Sequence, residues 1–243
     1  MKTIATIEAR MTSTRLPGKV LMPAVGKPML ELMIERLRWA PSIEEIVVAT
    51  TVNAADDPIV ALAERLGAGV WRGSEEDVLS RVLGAAQHYQ ADVIVETTGD
   101  CPLIDPEIVE ACIQAYRSSG VDYLSNILER SYPIGMDTQV FSTAVLADVA
   151  ERTQDPQDHE HVSLFIYRHP ELYSLKNLKA PPSETDPELR LTLDTAEDYQ
   201  LICAVFAALY PRHRDFSLGE ILAFLAGRPE LRMLNQHVAH RYV

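Results

Sequence analysis

Short apolar runs alternate with longer amphipathic segments through the first half of the chain. The runs are rich in β-branched residues and lack strict polar alternation, as strands buried on both faces of a parallel sheet do. They lie at residues 3–7, 46–51, 69–71 and 93–98. Helical patterns follow them at residues 28–39, 58–66, 75–89 and 107–118. This strand–helix order predicts a three-layer α/β/α domain, doubly wound around a mostly parallel sheet.

Several of these helices have recognisable start signals. Asp57 and Asp105 each precede a proline, which predicts an N-cap followed by proline at the first helical position. Ser74, with Asp77 three residues on, is expected to cap the helix of residues 75–89.

The strand–helix order changes from about residue 121. Here the pattern predicts strands at 122–125, 138–141, 173–176 and 190–194. Helices are expected at 143–152, 159–167 and 196–209. We interpret this stretch as an antiparallel excursion or a subunit contact within one domain that spans residues 1–243.

Charge changes this picture at one end of the chain. Overall, 35 acidic residues oppose 22 basic ones, a net charge of -13, which argues against duplex nucleic acid or an anionic membrane as partner. Residues 1–40 nevertheless contain seven basic and three acidic side chains. That local excess of positive charge predicts a small anionic ligand held near the start of the chain.

The remaining composition indicates a globular cytoplasmic protein. Hydrophobic residues make up 47% and charged residues 23% of the 243 residues, the ordinary globular balance. Three widely spaced cysteines form no CxxC pair, which fits a reducing compartment. A charge already at Glu8 argues against a signal peptide, and no apolar run approaches the ~18–20 residues that span a bilayer.

The loop after the first strand carries the clearest chemistry. Arg10, Arg15 and Lys19 follow that strand among hydroxyl-bearing residues such as Ser13. In an open α/β sheet, ligands bind beyond the carboxyl ends of the strands, and arginine matches phosphate oxygens bidentately. Neither the Walker pattern nor GxGxxG is present. We interpret the loop as a phosphate site, the alternative being a solvated basic loop.

Two carboxylates at predicted strand ends are candidates for Mg²⁺. Asp100 follows the strand at 93–98 and Asp194 closes the one at 190–194. Mg²⁺ takes one or two carboxylates together with phosphate oxygens and water. The alternatives are a turn role for Asp100 and, beside Asp194, a capping box of Thr195 with Asp198 for the following helix.

Other polar residues carry weaker signals. Arg72 and Arg81 flank a third strand-end loop, although Arg81 could instead pair with Asp77 along a helix. Cys101 is interpreted as a small buried residue rather than a nucleophile. The histidine-containing cluster at 158–161 has no visible third metal ligand, so we interpret it as a helix start.

Taken together, these motifs resemble those of the sugar cytidylyltransferases. The opening ARMTSTRLPGK at residues 9–19 is similar to the family signature AR-x-x-S-x-R-L-P-x-K. The resemblance covers roughly residues 1–210 and is strongest to the spore-coat polysaccharide biosynthesis protein F branch. Its other matching segments are VATT at 48–51, RGS at 72–74, TGDCPLI at 98–104, EHV at 160–162 and LDTAED at 193–198.

The resemblance implies a nucleotidyltransferase that moves CMP from CTP to a sugar, expected to be an acidic one for surface polysaccharide, and releases pyrophosphate. Arg10, Lys19 and Asp100 would be the catalytic residues, and Asp100 with Asp194 would hold Mg²⁺. The residues it assigns to the nucleotide are Ala9, Arg10, Ser13, Arg15, Lys19, Arg72, Gly73, Ser74, Thr98, Gly99 and Asp100.

The resemblance also implies a homodimer formed through about residues 125–170. Two alternatives stay open. One is a nucleotide-sugar glycosyltransferase of similar fold, which would ordinarily show an Asp-x-Asp motif where this chain has Asp100-Cys101-Pro102. The other is a nucleotide-binding protein without turnover.

Overall fold

One mixed sheet forms the centre of the protein in the computed structural model, which describes residues 1–239. In chain order the strands are β1 (Thr3–Glu8), β2 (Pro23–Ala24), β3 (Lys27–Pro28), β4 (Glu45–Thr51), β5 (Gly69–Gly73), β6 (Val93–Thr98), β7 (Tyr123–Ser125), β8 (Gln139–Ser142) and β9 (Leu175–Asn177). The central sheet has seven strands in the order β5–β4–β1–β6–β8–β7–β9, and β2 pairs with β3 in a separate hairpin.

Helices connect these strands and cover both faces of the sheet. They are α1 (Met29–Leu37), α2 (Asp57–Arg65), α3 (Val78–His88), α4 (Pro106–Ser119), α5 (Thr143–Arg152), α6 (Pro156–Glu160), α7 (Leu164–Arg168), α8 (Ala196–Leu209), α9 (Leu218–Ala226) and α10 (Pro229–Arg232). None of the helices within residues 1–239 is long and apolar enough to cross a membrane.

Successive residues of the inner strands point to opposite layers, as the two-residue period of a strand requires. Ala5 and Ile7 of β1 belong to a core with α1, α2, α4 and α8. Ile4 belongs to a second core with α3 and α5. Because both faces are covered, the inner strands are mostly apolar, which explains the near-continuous hydrophobic runs in the sequence.

The expected fold class is confirmed. Strands β5, β4, β1 and β6 pair in parallel, whereas β8 runs antiparallel to both of its neighbours, β6 and β7. The change in pattern near residue 121 therefore marks the point where the parallel half of the sheet gives way to an antiparallel insertion.

Two of the predicted helix starts are confirmed by hydrogen bonds. The Asp105 carboxylate accepts from Glu107 N at 2.8 Å, with proline at the first position of α4. Thr195 and Asp198 form the capping box of α8, each side chain accepting from the other's backbone N–H.

Other predicted boundaries are wrong for local reasons. Residues 190–194 form no strand, and the segment is connected to Ile134 by an isolated bridge at Arg190. Helix α3 begins at Val78 because Asp77, and not Ser74, caps it by accepting from Ser80 N at 2.9 Å.

The start of α2 and the helix expected at residues 159–167 also differ from expectation. Asp57 is the first residue of α2 and pairs with Arg72, so it does not cap the helix. The helix expected at 159–167 is two short helices, α6 and α7, because the chain leaves the helical conformation at His161.

Candidate active site

The loop after β1 is held in a fixed shape by its own backbone and by Asp56, the residue before α2. Gly18 donates its N–H to Met11 O at 2.9 Å, and Met11 donates its N–H to the Asp56 carboxylate at 2.7 Å. Gly18 has a φ of 70°, in the left-handed region that favours glycine. The loop therefore closes on itself and carries Lys19 back toward the end of β1.

An ion cluster forms where this loop meets the ends of β1 and β6. Lys19 Nζ lies 3.0 Å from Asp100 Oδ2 and 2.8 Å from Asp194 Oδ1. Arg15 Nη2 lies 3.0 Å from the same Asp194 oxygen. Four side chains from three separate parts of the sequence thus share one centre.

A buried second layer fixes the Asp194 carboxylate. Arg190 Nη2 donates to Asp194 Oδ2 at 2.5 Å, and Arg190 Nε donates to Asp198 Oδ1 at 2.9 Å. Asp198 also accepts from the backbone N–H of Asp194 at 2.9 Å. Asp198, which belongs to the capping box of α8, therefore also positions Asp194 of the cluster.

The charges of the cluster stabilise one another. Burial would lower the pKa of Lys19, but Asp100 and Asp194 outweigh it and raise that pKa above its ordinary value. Burial would likewise raise the pKa of Asp100, yet Lys19 and a 2.5 Å hydrogen bond from Thr98 Oγ1 hold it below its ordinary value. Lys19 and Asp100 are therefore both charged at neutral pH.

A cavity of about 330 Å³ opens over this cluster. Most of the residues singled out in the sequence line it together: Ala9, Arg10, Ser13, Arg15, Lys19, Thr98, Gly99, Asp100 and Asp194. Gly99 allows β6 to approach β1 closely, since a Cβ there would lie 2.9 Å from Glu8 O. The cavity thus sits beyond the carboxyl ends of neighbouring parallel strands, where open α/β sheets bind ligands.

Arg72, Gly73 and Ser74 are not among the residues that line this cavity. The Arg72 guanidinium donates to Thr51 O at 2.8 Å and pairs with Asp57 at 2.7 Å, so it ties two loops together. A Cβ at Gly73 would lie 3.1 Å from the Arg81 side chain, and Ser74 O accepts a hydrogen bond from Arg81 Nη1. The segment therefore holds Arg81, which does line the cavity.

Glu75 ties the tip of the loop to the rest of the protein. Its carboxylate accepts from the hydroxyl of Thr12 and from Asn53 Nδ2, and lies 3.4 Å from Arg10 Nη1. Arg10, which lines the cavity, therefore pairs with a carboxylate at this end of the loop.

A second, larger cavity of about 540 Å³ adjoins the first. The two share lining residues Glu8, Thr98, Glu160 and His161. The second cavity extends under the antiparallel insertion. Its other walls are Glu96, Ile127, Leu128, Arg130, Asp137, Gln139, Val162, Ser163 and Tyr167.

Two glutamates on adjacent strands line the second cavity, and one of them, Glu8, also lines the first. Glu8 ends β1 and Glu96 lies on the adjacent β6. Burial raises the pKa of Glu8 to about 7 and that of Glu96 well above its ordinary range. The sequence carried a signal for both, since each interrupts an apolar strand with a carboxylate, but the pairing itself depends on strand order.

The remaining candidate residues, the cluster at 158–161 and Cys101, are hydrogen-bonded to neighbouring residues or buried. His159 Nδ1 lies 2.8 Å from Asp77 Oδ1, and the buried Asp158 accepts from Thr153 Oγ1 at 2.6 Å. Within residues 1–239, no group of three or more His, Cys, Asp and Glu side chains is gathered as a metal site. Cys101 is buried, and burial raises the pKa of its thiol, which leaves it protonated.

A mostly parallel sheet whose strand ends open into a cation-lined cavity with two carboxylates is the architecture of the α/β nucleotidyltransferases. Within that class, the family model described as Cytidylyltransferase matches residues 4–225. The protein therefore belongs to the cytidylyltransferase family, and the resemblance in its motifs is confirmed.

Individual relatives agree with this assignment. The spore coat polysaccharide biosynthesis protein SpsF of Bacillus subtilis (strain 168) is 37% identical over 92% of this chain and 94% of its own. A 3-deoxy-manno-octulosonate cytidylyltransferase of Geobacter metallireducens is 30% identical over 78% of this chain and 84% of its own. A solved cytidylyltransferase from Leptospira borgpetersenii superposes with a TM-score of 0.90 at 31% identity, covering 100% of both chains.

Proposed function

We propose that this cytidylyltransferase transfers CMP from CTP to a sugar and releases pyrophosphate. The observation that carries the proposal is the ion cluster, in which Lys19 and Arg15 meet Asp100 and Asp194 at the floor of the first cavity. Displacement at phosphorus is catalysed by positioning and by neutralisation of charge on the phosphate oxygens. A cavity that gathers several cations supplies both.

The three cations would bind different phosphate groups of the triphosphate. Arg10 and Arg15 are partly exposed at the cavity edge, whereas Lys19 is buried at its floor. Ser13 lines the same loop and offers a hydroxyl donor, and Ala9 leaves room for the nucleoside. The exposed arginines can exchange Glu75 and Asp194 for phosphate oxygens without unfolding the site.

The two carboxylates fit a magnesium ion. Asp100 and Asp194 both contact the same Lys19 nitrogen, so their oxygens lie within reach of one cation, and their side chains remain 25% and 9% exposed. Hard oxygen donors in this number are what Mg²⁺ uses when phosphate and water complete its shell. When bound, Mg²⁺ would neutralise charge on the phosphates.

The second cavity would hold the acceptor sugar, because it opens into the first at Glu8 and Thr98. The name of the Bacillus relative indicates surface polysaccharide as the destination of the product. The sugar acids expected from the resemblance therefore form one group of acceptors to test, with neutral sugars and amino sugars as the others.

The proposal is tested by pyrophosphate release with Mg²⁺ and each of CTP, UTP, ATP and GTP across these acceptors. We expect release that depends on CTP, Mg²⁺ and an acceptor together. Asp100→Asn should abolish it, whereas Asp215→Asn, an exposed aspartate remote from both cavities, should retain it.

Two results would overturn the proposal. One is tight CTP binding without pyrophosphate release from any acceptor, which would indicate a nucleotide-binding protein without turnover. The other is release of a nucleotide from a nucleotide sugar, which would indicate a glycosyltransferase.

We also propose that two copies associate through about residues 125–170, the antiparallel insertion. Leu172, at the edge of this region, is a large apolar side chain with 47% of its surface exposed. Light scattering at several concentrations would give the mass in solution. A single mass of 27.1 kDa at all of them would refute the dimer.

A further inference from the structure

The first and second cavities meet at a short stretch of wall. Among the described residues, four line both cavities: Glu8, Thr98, Glu160 and His161. With CTP in the first cavity and the acceptor sugar in the second, the α-phosphorus and the attacking hydroxyl come together at this wall. The hydroxyl loses its proton as it bonds to phosphorus, and a base within hydrogen-bond reach accelerates such a step. The group that takes the proton therefore belongs at this wall.

Glu8 has a fixed position on the shared wall. It is the last residue of β1, where it pairs with Ala49 of β4 on one side and with Thr98 of β6 on the other. Its carbonyl oxygen accepts from Gly99 N at 2.9 Å. Its side chain remains partly exposed. A carboxyl group on a strand that is paired on both sides is placed more precisely than one on a loop.

Glu96 lies beside Glu8 on the same face of the sheet. In the β1–β6 register Glu8 lies opposite Thr98, and Glu96 lies opposite Thr6, so the two carboxyl groups are diagonal neighbours. Burial raises both pKa values, and a hydrogen bond between the two groups raises that of Glu96 further and lowers that of Glu8. Such a bond needs a proton on one of its partners. That proton therefore resides on Glu96, which is only 5% exposed, and Glu8 accepts it.

This arrangement makes Glu8 a base and leaves Glu96 a neutral donor. Burial raises the pKa of Glu8 to about 7, although the nearby Arg81 acts in the opposite direction and Asp100 in the same one. A base with a pKa near the working pH is ionised in a large share of molecules and still holds the proton that it takes. Glu96 donates to one side of the Glu8 carboxylate, and further lone pairs of Glu8 remain for a substrate hydroxyl.

The other residues of the shared wall fit this role less well. The Thr98 hydroxyl donates to Asp100 at 2.5 Å, and Glu160 is exposed at the end of α6. His161 follows α6 and is the competing base.

We propose that Glu8 takes the proton of the acceptor hydroxyl and that Glu96 is a positioning residue for Glu8. The inference rests on the proposed function, because it concerns the same transfer. In this step the hydroxyl oxygen bonds to the α-phosphorus of CTP. The bond from that phosphorus to the bridging oxygen breaks, and its electron pair leaves with pyrophosphate. The hydroxyl proton passes to Glu8 and then to solvent.

A glutamine variant tests the base. Turnover is measured with the full chain, CTP, Mg²⁺ and whichever sugar acid, amino sugar or neutral sugar the wild-type protein uses fastest. Glu8→Gln keeps the shape of the side chain but cannot take a proton, so kcat should fall about 100- to 10,000-fold. The KM for the acceptor and the affinity for CTP by calorimetry should change far less, because ground-state binding is retained.

The same substitution at Glu96 should have the smaller effect. The amide of Glu96→Gln can still donate a hydrogen bond to Glu8, whereas Glu96→Met has a similar volume and no donor. Glu96→Met should therefore lower kcat about 10- to 100-fold, and Glu96→Gln should recover most of that loss. Glu151→Gln removes an exposed carboxylate outside both cavities and should retain wild-type kcat.

Formate offers an independent test of Glu8. In Glu8→Ala the deleted side chain leaves space for this small carboxylate, which should raise kcat. In Glu8→Gln the amide fills the space, and formate should have no effect. CTP binding shows which variants are folded, and the alanine and glutamine variants can each decide the question if the other does not fold.

Three results would count against these roles. Wild-type kcat in Glu8→Gln or Glu8→Ala overturns the inference, and loss of turnover in His161→Gln beside it would assign the proton to the histidine. Equal kcat in Glu96→Gln and Glu96→Met overturns the positioning role. Absence of pyrophosphate release by the wild-type protein with every acceptor would instead overturn the proposed function, and the role of Glu8 with it.

Discussion

Replacing Lys19 with methionine is the sharpest test of the ion cluster. The change keeps most of the side-chain volume and removes the ammonium that lies between Asp100 and Asp194. Two carboxylates then face each other with less compensation. We expect the free energy of unfolding to fall and the affinity of the site for divalent cations to rise.

The magnitude follows from the distances and the burial. At about 3 Å and an effective dielectric constant of about 20, each attraction amounts to about 5 kcal/mol before desolvation is subtracted. Removing one partner of a buried ion pair costs about 3–5 kcal/mol. Lys19 and Asp194 are 11% and 9% exposed, and Arg15 and Arg190 remain on Asp194. We therefore expect the lower end of this range, about 3 kcal/mol.

Urea unfolding with and without Mg²⁺ measures both effects. In Lys19→Met, Mg²⁺ at ten times its Kd should restore about 1.4 kcal/mol, and it should stabilise the wild-type protein less because the ammonium competes for the same oxygens. Lys179→Met is the matched control, since Lys179 pairs with Glu129 while both remain more than half exposed. That surface pair should contribute below about 1 kcal/mol.

Two outcomes would refute this reasoning. Lys19→Met could unfold at the same urea concentration as Lys179→Met, in which case the cluster contributes no more than a surface pair. Alternatively, Mg²⁺ could stabilise the variant and the wild-type protein equally, which would place the divalent cation away from Asp100 and Asp194.

Three further predictions address the phosphates, the backbone and pH. Arg15→Ala should weaken CTP about 10- to 100-fold by calorimetry and cytidine less than about twofold, because in the proposed function the guanidinium binds the phosphates and not the nucleoside. Equal losses for CTP and cytidine would remove Arg15 from the phosphates. Gly135→Ala should destabilise the fold by about 2–4 kcal/mol in urea, since φ is 105° and the new Cβ would lie 2.7 Å from a neighbouring backbone carbonyl. The control Gly120→Ala, with a φ of 68° and open space around it, should cost about 1 kcal/mol. The hydrogen bond to Asp77 raises the pKa of His159 above 6.5, so the contribution of His159 to the free energy of unfolding is present below pH 6.5 and is lost as pH rises through the folded-state pKa. The difference in stability between wild type and His159→Gln should therefore be larger at pH 6 than at pH 8. A difference that grows with pH would contradict the assignment.

Local signals in the sequence were sufficient for most of the elements. The apolar runs located β1, β4 and β6, because strands covered on both faces need apolar residues at nearly every position. Asp105 before a proline and the Thr195–Asp198 capping box located the starts of α4 and α8, because a helix cap satisfies backbone N–H groups only a few residues away. Such interactions span too few residues to depend on the rest of the fold.

Some side chains differ from expectation because a distant partner binds them. Asp57 was expected to cap α2, but Arg72 from the neighbouring strand takes its carboxylate. Arg72, which the resemblance assigns to the nucleotide, donates to backbone carbonyls at Thr51 and Asn53 and is not among the residues that line the first cavity. Residue type identified these groups as polar and reactive, and only strand order decided which partner each could reach.

The sequence by itself determined the α/β class, the family and the residue types that face the first cavity, because these depend on local periodicity and on a short motif after the first strand. Tertiary structure decided the rest. It brought Lys19 to Asp194, 175 residues away, and placed Glu8 beside Glu96 through the pairing of β1 with β6. These two carboxyl groups share one space only after the sheet has formed, because each lies on a different strand.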